Sequence, residues 1–175
     1  MGPRFGRIHF KNLQEEQLMG RKVGYCYPTH SFESVFSLTH TFHHLVEEGV
    51  GLRHVIDYYH ILSGLSRDDR VQSLQQIKKI GMYRFLGAMM YVLEKACGMP
   101  KNVMLCEPDE QEGKYLLNEI LAAGNFGHHR KGELLRHNSI KRFWVMSSHY
   151  PSEGLWMIPR KAYQVLWRNM RKIIY

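Results

Sequence analysis

The chain has 175 residues, 44% of them hydrophobic, which is long enough for a single domain with its own core. Lys and Arg number 24 against 16 Asp and Glu, so the formal net charge is +8, which favours an anionic partner such as a nucleotide or a nucleic acid. The three cysteines form no C-x-x-C pair and no apolar run reaches about 20 residues, which argues against a disulfide scaffold, a thiolate zinc site and a membrane span, and favours a cytoplasmic chain.

The first 27 residues predict a short extended portion. The pieces "RIHF" and "KVGYCY" are interpreted as short strands, and glycines interrupt any helical period between them. The helical pattern begins after this stretch. We therefore divide the chain into a junction segment, residues 1–27, and a helical domain, residues 28–175.

Two helices are predicted around a Gly-Val-Gly connection. The first begins near Ser31 and ends at Gly49 and Gly51, and its apolar residues recur at three- and four-residue spacing. The residues predicted to face inward on it are Phe32, Val35, Phe36, Thr39, Phe42 and Val46. The second helix covers residues 52–63 and stops at Gly64. Its predicted inward residues are Leu52, Val55, Ile56, Tyr59 and Leu62.

A third and a fourth helix follow directly. The third is predicted to begin at a cap on Asp68 and to close at Gly81. Its predicted inward residues are Val71, Leu74, Ile77 and Ile80. The fourth covers residues 83–97 and is apolar on most sides, which is typical of a buried central helix.

The C-terminal half predicts three more helices. In "EPDEQEGKYLLNEILAAG", Asp109 and Glu112 have the spacing of a capping box, and Gly124 ends the helix. The stretches "SIKRFWVMSSHY" and "PRKAYQVLWRNMRKIIY" supply the other two. Because no alternation of strands and helices is present, we predict a mainly α fold, an irregular multi-helix bundle of about seven helices with a short extended N-terminal portion.

Residues 40–60 hold five of the eleven histidines. His40 and His44 lie four apart, so both imidazoles face one side of the helix at a separation that one metal ion could bridge. This spacing is common in helices, and no H-E-x-x-H accompanies it. A metal site would need further ligands from Asp57, His54 or His60. Capping or hydrogen bonding of the turn between the two helices, or simple polarity facing a phosphate, is therefore the favoured interpretation, and no metal site is predicted.

Arg53 and Asp57 are also four apart and are predicted to pair within the second helix, which contributes only about 0.3–0.5 kcal/mol when exposed. Two interpretations stay open. In one, Asp57 holds the guanidinium of Arg53 towards a phosphate, beside the free N–H groups of the helix start at Gly49 to Gly51. In the other, the pair is a structural bridge between the first two helices.

Three segments of the chain resemble a known family. They are "HTFHHLVEEGVGLRHVIDYYHIL", "LLNEILAAGNFGHH" and "SSHYPSEGLW". They are similar to the corresponding segments of an uncharacterised nucleotidyltransferase family of Bacteroidetes, distant members of the polymerase-beta-like nucleotidyltransferase superfamily. The resemblance extends from about Pro28 to the C-terminus, and G-x-G-L-R-x-x-x-D and G-N-F-G-H are its most specific strings.

The resemblance covers only the helical part of that family. In the family, an α/β domain precedes the helical region, and a Gly-Ser turn with a strand-borne Asp-x-Asp holds the metal ions for phosphoryl transfer. This sequence contains neither string. Two Mg²⁺ ions need oxygen ligands at fixed positions. The resemblance thus implies a C-terminal helical domain that lacks the catalytic half, is inactive alone and binds no cofactor itself, with Mg²⁺ belonging to the missing half.

By resemblance, the matched residues are expected to face a nucleotide or a phosphate-bearing substrate. The candidate binding residues are His40, His44, Gly49, Gly51, Arg53, Asp57, Asn125 and His128. The resemblance implies no catalytic role for any of them. The expected function is assistance in binding the nucleotide or the acceptor substrate.

Two other functions stay open. The last predicted helix interleaves aromatic residues with five basic ones, a pattern typical of nucleic-acid binding but equally explained by solvated charges on a packed helix. The basic residues are Arg160, Lys161, Arg168, Arg171 and Lys172. Alternatively, an apolar face that meets the catalytic half in relatives is covered here by a second copy, giving a homo-oligomer.

Overall fold

The computed structural model describes residues 11–15, 28–123 and 139–155, together with residues 158 and 162. Every regular element in these ranges is helical, so the predicted mainly α bundle is confirmed. The six longer α-helices are α1 (His30–Glu47), α2 (Leu52–Gly64), α3 (Arg67–Ile80), α4 (Tyr83–Cys97), α5 (Glu110–Ala123) and α6 (Ser139–His149). Short helical segments also occur at residues 11–15 and 151–155, and a 3₁₀ turn at Lys101–Val103.

Helix α4 is the centre of the core, as its apolar composition predicts. All residues from 85 to 93 are buried, and α5 packs along the helix more extensively than any other element. The two helices approach closely because glycines lie between them. A Cβ at Gly113 would overlap the ring of Tyr91, and the backbone N–H of Asp109 donates to the carbonyl of Gly87 at 3.0 Å.

Helix α1 forms the second side of the core and contacts α2, α3 and α6. The hydroxyl of Thr29 caps its start by accepting from the N–H of Phe32 at 3.3 Å. Phe42 packs edge-on against Phe85 of α4, with ring centroids 5.1 Å apart, and also against Tyr150. The last two turns of α1 are thereby fixed to the centre of the bundle.

The predicted inward faces of α1 and α2 are partly wrong. Leu52 and Ile56 are 44% and 47% exposed, whereas Tyr58 is fully buried. Phe36 of α1 is likewise 43% exposed. The apolar residues of these helices cover a wider face than the one that is buried. In α2, the buried stripe consists of Val55, Tyr58 and Leu62.

The predicted start of α3 also needs correction. The cap is Ser66, which forms a reciprocal capping box with Asp69, while Asp68 lies in the first turn. Val71, predicted to face inward, is 53% exposed, and the small side chain of Ser73 is buried instead. The end of the helix is confirmed, because Gly81 has a φ of 80° in the left-handed region that suits glycine.

Several predictions fall outside the described residues. These are the strands "RIHF" and "KVGYCY", the end of α5 at Gly124, the candidate residues Asn125 and His128, and the basic last helix apart from residue 162. The division of the chain at residue 27 also stays a prediction. Within the described ranges, no helix combines the length and the apolar composition that crossing a membrane requires.

Candidate functional site

The histidine pair of α1 is the centre of the candidate site. The Nε2 atoms of His40 and His44 are 3.1 Å apart, which is a hydrogen bond in which one imidazole donates and the other accepts. The rings meet edge to face, with centroids 4.4 Å apart and planes at 88°. The two imidazoles thus bond each other within α1, and hydrogen bonding of the pair to the turn between the helices stays a prediction.

Two more imidazoles extend the pair into a histidine cluster of His40, His43, His44 and His54. The ring of His54, on the first turn of α2, lies 5.2 Å from that of His44, and the ring of His43 lies 5.9 Å from it. Burial and the neighbouring His44 lower the pKa of both His40 and His54. At neutral pH these two rings are consequently uncharged and offer N–H donors and lone pairs.

The connection between α1 and α2 requires its glycines. Gly49 has a φ of 106°, which side-chain-bearing residues rarely adopt. Its N–H donates to the carbonyl of His44 at 2.8 Å, so the expectation of a free N–H group at Gly49 is wrong. Gly51 is the N-cap of α2 and contributes no side-chain cap, and the first turn of α2 contains no acidic residue. The positive end of this helix is thus left without a carboxylate of its own.

Arg53 and Asp57 lie one turn apart on α2, with Nε and Oδ2 separated by 3.9 Å. Their side chains are 80% and 60% exposed, so the pair is solvated and adds little stability. It joins two residues of the same helix and does not bridge α1 to α2. The interpretation of a structural bridge between the two helices is therefore wrong.

One acidic residue, Glu48, also lies beside the histidine pair. The Oε2 atom of Glu48 lies 3.6 Å from Nδ1 of His44, and its side chain is 61% exposed.

Of the predicted candidates, the structure places six at one junction: the last turns of α1, the connection and the first two turns of α2. They are His40, His44, Gly49, Gly51, Arg53 and Asp57. In the described ranges, no three acidic, thiol or imidazole groups converge as a metal site.

A second polar centre, the Glu112 network, was missed by sequence reasoning. The Glu112 side chain is only 4% exposed, and its two oxygens bind Arg84 at 2.5 Å and Nδ1 of His149 at 2.9 Å. The ring of Tyr115 stacks on that of His149 at 3.6 Å, with planes 10° apart. One carboxylate therefore joins α4, α5 and α6.

The capping-box spacing explains why the sequence did not predict the buried contacts of Glu112. Asp109 does cap the helix, because its Oδ1 accepts from the N–H of Glu112 at 3.0 Å. The Glu112 carboxylate, however, points into the bundle instead of returning to the cap. A sequence signal was present: Glu112 is four and eight residues before Leu116 and Ile120, in register with the buried face of α5.

Two further buried polar residues support the same region. Glu153 accepts from the backbone N–H of Phe85 at 2.9 Å and so caps α4, which has no cap from its own N-terminus. Burial raises the pKa of Glu153. Arg142 of α6 donates from Nε to the carbonyl of Leu45 at 2.6 Å, tying α6 to the histidine-bearing turns of α1.

An apolar groove lies on the outer side of α6. It has a volume of about 340 Å³ and is bordered by Trp144, which is 65% exposed, with Phe143, Leu155 and Ile158. An exposed apolar surface of this kind is consistent with the predicted self-association but does not identify the partner.

Comparisons of the chain with protein-family models, with curated proteins and with solved structures found no match. The resemblance to nucleotidyltransferases accordingly stays a prediction.

Proposed function

We propose that this helical domain binds a phosphate-bearing ligand, such as a nucleotide, at the junction of α1 and α2, and assists a nucleotidyltransferase in this way. The observation that supports the proposal is the placement of an exposed arginine, Arg53, in the first turn of a helix whose start carries no acidic side chain. Such a start presents backbone N–H groups and a partial positive charge to an anion.

The histidine cluster complements this arrangement. The Nε2 atoms of His40 and His44 bond each other at 3.1 Å, and a rotation of the exposed His40 ring out of this hydrogen bond turns a ring N–H towards a phosphate oxygen. Asp57 lies on the Nε side of Arg53, at 3.9 Å, which leaves the terminal guanidinium N–H groups for two phosphate oxygens. The net charge of +8 adds long-range attraction for the same class of ligand.

The assisting role comes from the resemblance. The chain contains no Gly-Ser and no Asp-x-Asp, so the metal ions of nucleotidyl transfer have no familiar ligands in this sequence. In this proposal, a separate catalytic unit holds Mg²⁺ and performs phosphoryl transfer. The helical domain positions the nucleotide or the acceptor.

A calorimetric titration of the full chain with ATP in the presence of EDTA tests the binding. Arg53→Ala is expected to weaken binding about tenfold or more, since a hydrogen bond to a charged group contributes about 1.5–3 kcal/mol. Arg67→Ala is the matched control, because Arg67 is an exposed arginine in the first turn of α3. Absence of heat with the folded wild-type chain, or equal losses in both variants, contradicts the proposal.

We also propose a reducing, cytoplasmic setting for the chain. Cys97 and Cys106 are both free thiols, and burial raises the pKa of Cys106 to about 11. A thiol that stays protonated reacts slowly with disulfides and oxidants. Mass spectrometry of the chain isolated without reductant tests this, and a disulfide that includes either cysteine contradicts it.

A further inference from the structure

The geometry of the histidine pair suits more than a hydrogen bond. Two nitrogens bound to one tetrahedral zinc ion at about 2.0–2.1 Å lie about 3.3 Å from each other. The Nε2 atoms of His40 and His44 are 3.1 Å apart, so little movement of the rings separates the hydrogen-bonded pair from a two-ligand arrangement. His40 lies on the protein surface, where an ion can reach the pair from solvent.

We infer that His40 and His44 together bind one divalent transition-metal ion through their Nε2 atoms. Imidazole nitrogen selects zinc, nickel, copper or cobalt over magnesium and calcium, which prefer oxygen. The site is distinct from the Mg²⁺ binding of a catalytic half and does not depend on phosphate binding.

Glu48 places a negative charge beside the outer ring nitrogen of His44. Its Oε2 lies 3.6 Å from Nδ1 of His44, on the ring nitrogen opposite Nε2. The separation is longer than a hydrogen bond, so the carboxylate acts by electrostatic attraction: it favours the tautomer with the proton on Nδ1, which leaves the Nε2 lone pair for the metal. In the hydrogen-bonded pair, Nε2 of His40 then carries the donated proton. On metal binding this proton leaves for water, and Nδ1 of His40 takes one from water, so no net proton is released.

The remaining coordination positions belong to small ligands. Within the described ranges no third donor side chain converges with the pair, so water molecules complete the coordination of the ion. A site with open positions can exchange water for an anion such as phosphate. If the proposed nucleotide binding is also correct, the ion would strengthen it, but the metal site itself needs only the histidines.

The test is a calorimetric titration of the full chain with Ni²⁺, without phosphate or nucleotide. One ion per chain is expected to bind with an affinity at least tenfold higher than that of His40→Ala or His44→Ala. His60→Ala is the control, because His60 is an exposed histidine of α2 whose ring lies against Tyr59 and outside the cluster. Equal affinity in wild-type chain and both cluster variants, or an equal loss in the control, overturns the inference.

A spectroscopic readout separates ligation from folding. With Zn²⁺, nitrogen-detected NMR of the histidine rings is expected to shift Nε2 of His40 and His44 to values typical of metal-bound nitrogen, and the ring nitrogens of His60 not at all. Unchanged Nε2 signals for the pair overturn the inference even if zinc binds elsewhere. Nucleotide titrations in EDTA report on the phosphate proposal separately, so either proposal can fail while the other holds.

Discussion

Nδ1 of His149 donates to a carboxylate oxygen of Glu112 across a distance of 2.9 Å, although Glu112 is almost fully buried. The other oxygen of the same carboxylate binds Arg84. A buried charge in this position is tolerated because both of its oxygens are paired. The pairing joins the end of α6 to the first turns of α4 and α5, so Glu112 connects the three helices.

We expect Glu112→Ala to lower the free energy of unfolding by about 3 kcal/mol, the lower end of the range for breaking a buried pair, because Arg84 is half exposed and can be resolvated. The measurement is urea unfolding followed by circular dichroism. Glu110→Ala is the control: Glu110 lies two residues away and pairs with Lys114 on the surface. An equal effect in the two variants would show that the Glu112 network contributes no special stability.

The pH dependence of stability is predicted to include a contribution from Glu153. Burial raises its pKa above the ordinary value of 4.5, so the folded state binds this proton more tightly than the unfolded chain does. The contribution of Glu153 to the free energy of unfolding is thus largest at pH below 4.5. It falls as the pH rises through the elevated pKa that Glu153 has in the folded state. The charged form is the one that the fold disfavours.

Glu153→Gln tests this sign. Glutamine keeps an oxygen for the N–H of Phe85 and removes the charge, so the variant should unfold at a higher temperature than wild type at pH 7 but not at pH 4. Thermal unfolding at both pH values is the measurement. Glu107→Gln, at an exposed position, should leave the pH dependence as in wild type. A lower unfolding temperature for Glu153→Gln at pH 7 contradicts the prediction.

The sequence predicted the helices better than it predicted their orientation. The boundaries of α4 follow from an apolar run between glycines, and local composition is enough to define them. Which face of α2 turns inward depends on the neighbouring helices, so Leu52 and Ile56 were assigned to the core wrongly. Periodicity alone cannot choose between adjacent apolar stripes of one helix.

The same limit applies to the polar sites. His40 and His44 were found because the i,i+4 rule operates within one helix. Glu112, Arg84 and His149 come from three helices, and their meeting depends on tertiary packing that local spacing does not contain. An acidic residue near a helix start also has an ordinary local explanation, the helix dipole, which concealed the role of Glu112.

The close approach of α4 and α5 makes Gly113 intolerant of substitution. A Cβ there would overlap the Tyr91 ring, so Gly113→Ala forces the helices apart despite the higher helix propensity of alanine. We expect the free energy of unfolding to fall by about 1–3 kcal/mol, the usual cost of overpacking a core. Gly64→Ala is the control, since nothing lies within 4 Å of its added methyl group. Urea unfolding of both variants should show a lower free energy of unfolding for Gly113→Ala only.

Arg142 of α6 is predicted to hold the end of α1, which carries the histidine pair, in place. Its side chain is 4% exposed, and its Nε–H donates to the carbonyl of Leu45, the residue after His44. Arg142→Met removes the donor for this carbonyl at similar side-chain length. Leaving a buried acceptor unpaired costs about 1–3 kcal/mol, and this part of the cost falls on the last turn of α1. The substitution also removes the pair between Nη2 of Arg142 and Oε2 of Glu119, which are 3.9 Å apart, so the effect on α1 has to be located within the chain.

Hydrogen exchange locates the effect of that substitution. Amides of residues 44–51 should exchange faster in Arg142→Met, whereas those at the centre of α4 should change only as far as global stability does. Because the histidine pair rests on this turn, Ni²⁺ binding should weaken severalfold in the same variant. Lys141→Met, at the exposed neighbouring position, is the control for both measurements. Faster exchange that is uniform over all helices would instead show that Arg142 stabilises the fold as a whole without positioning the end of α1.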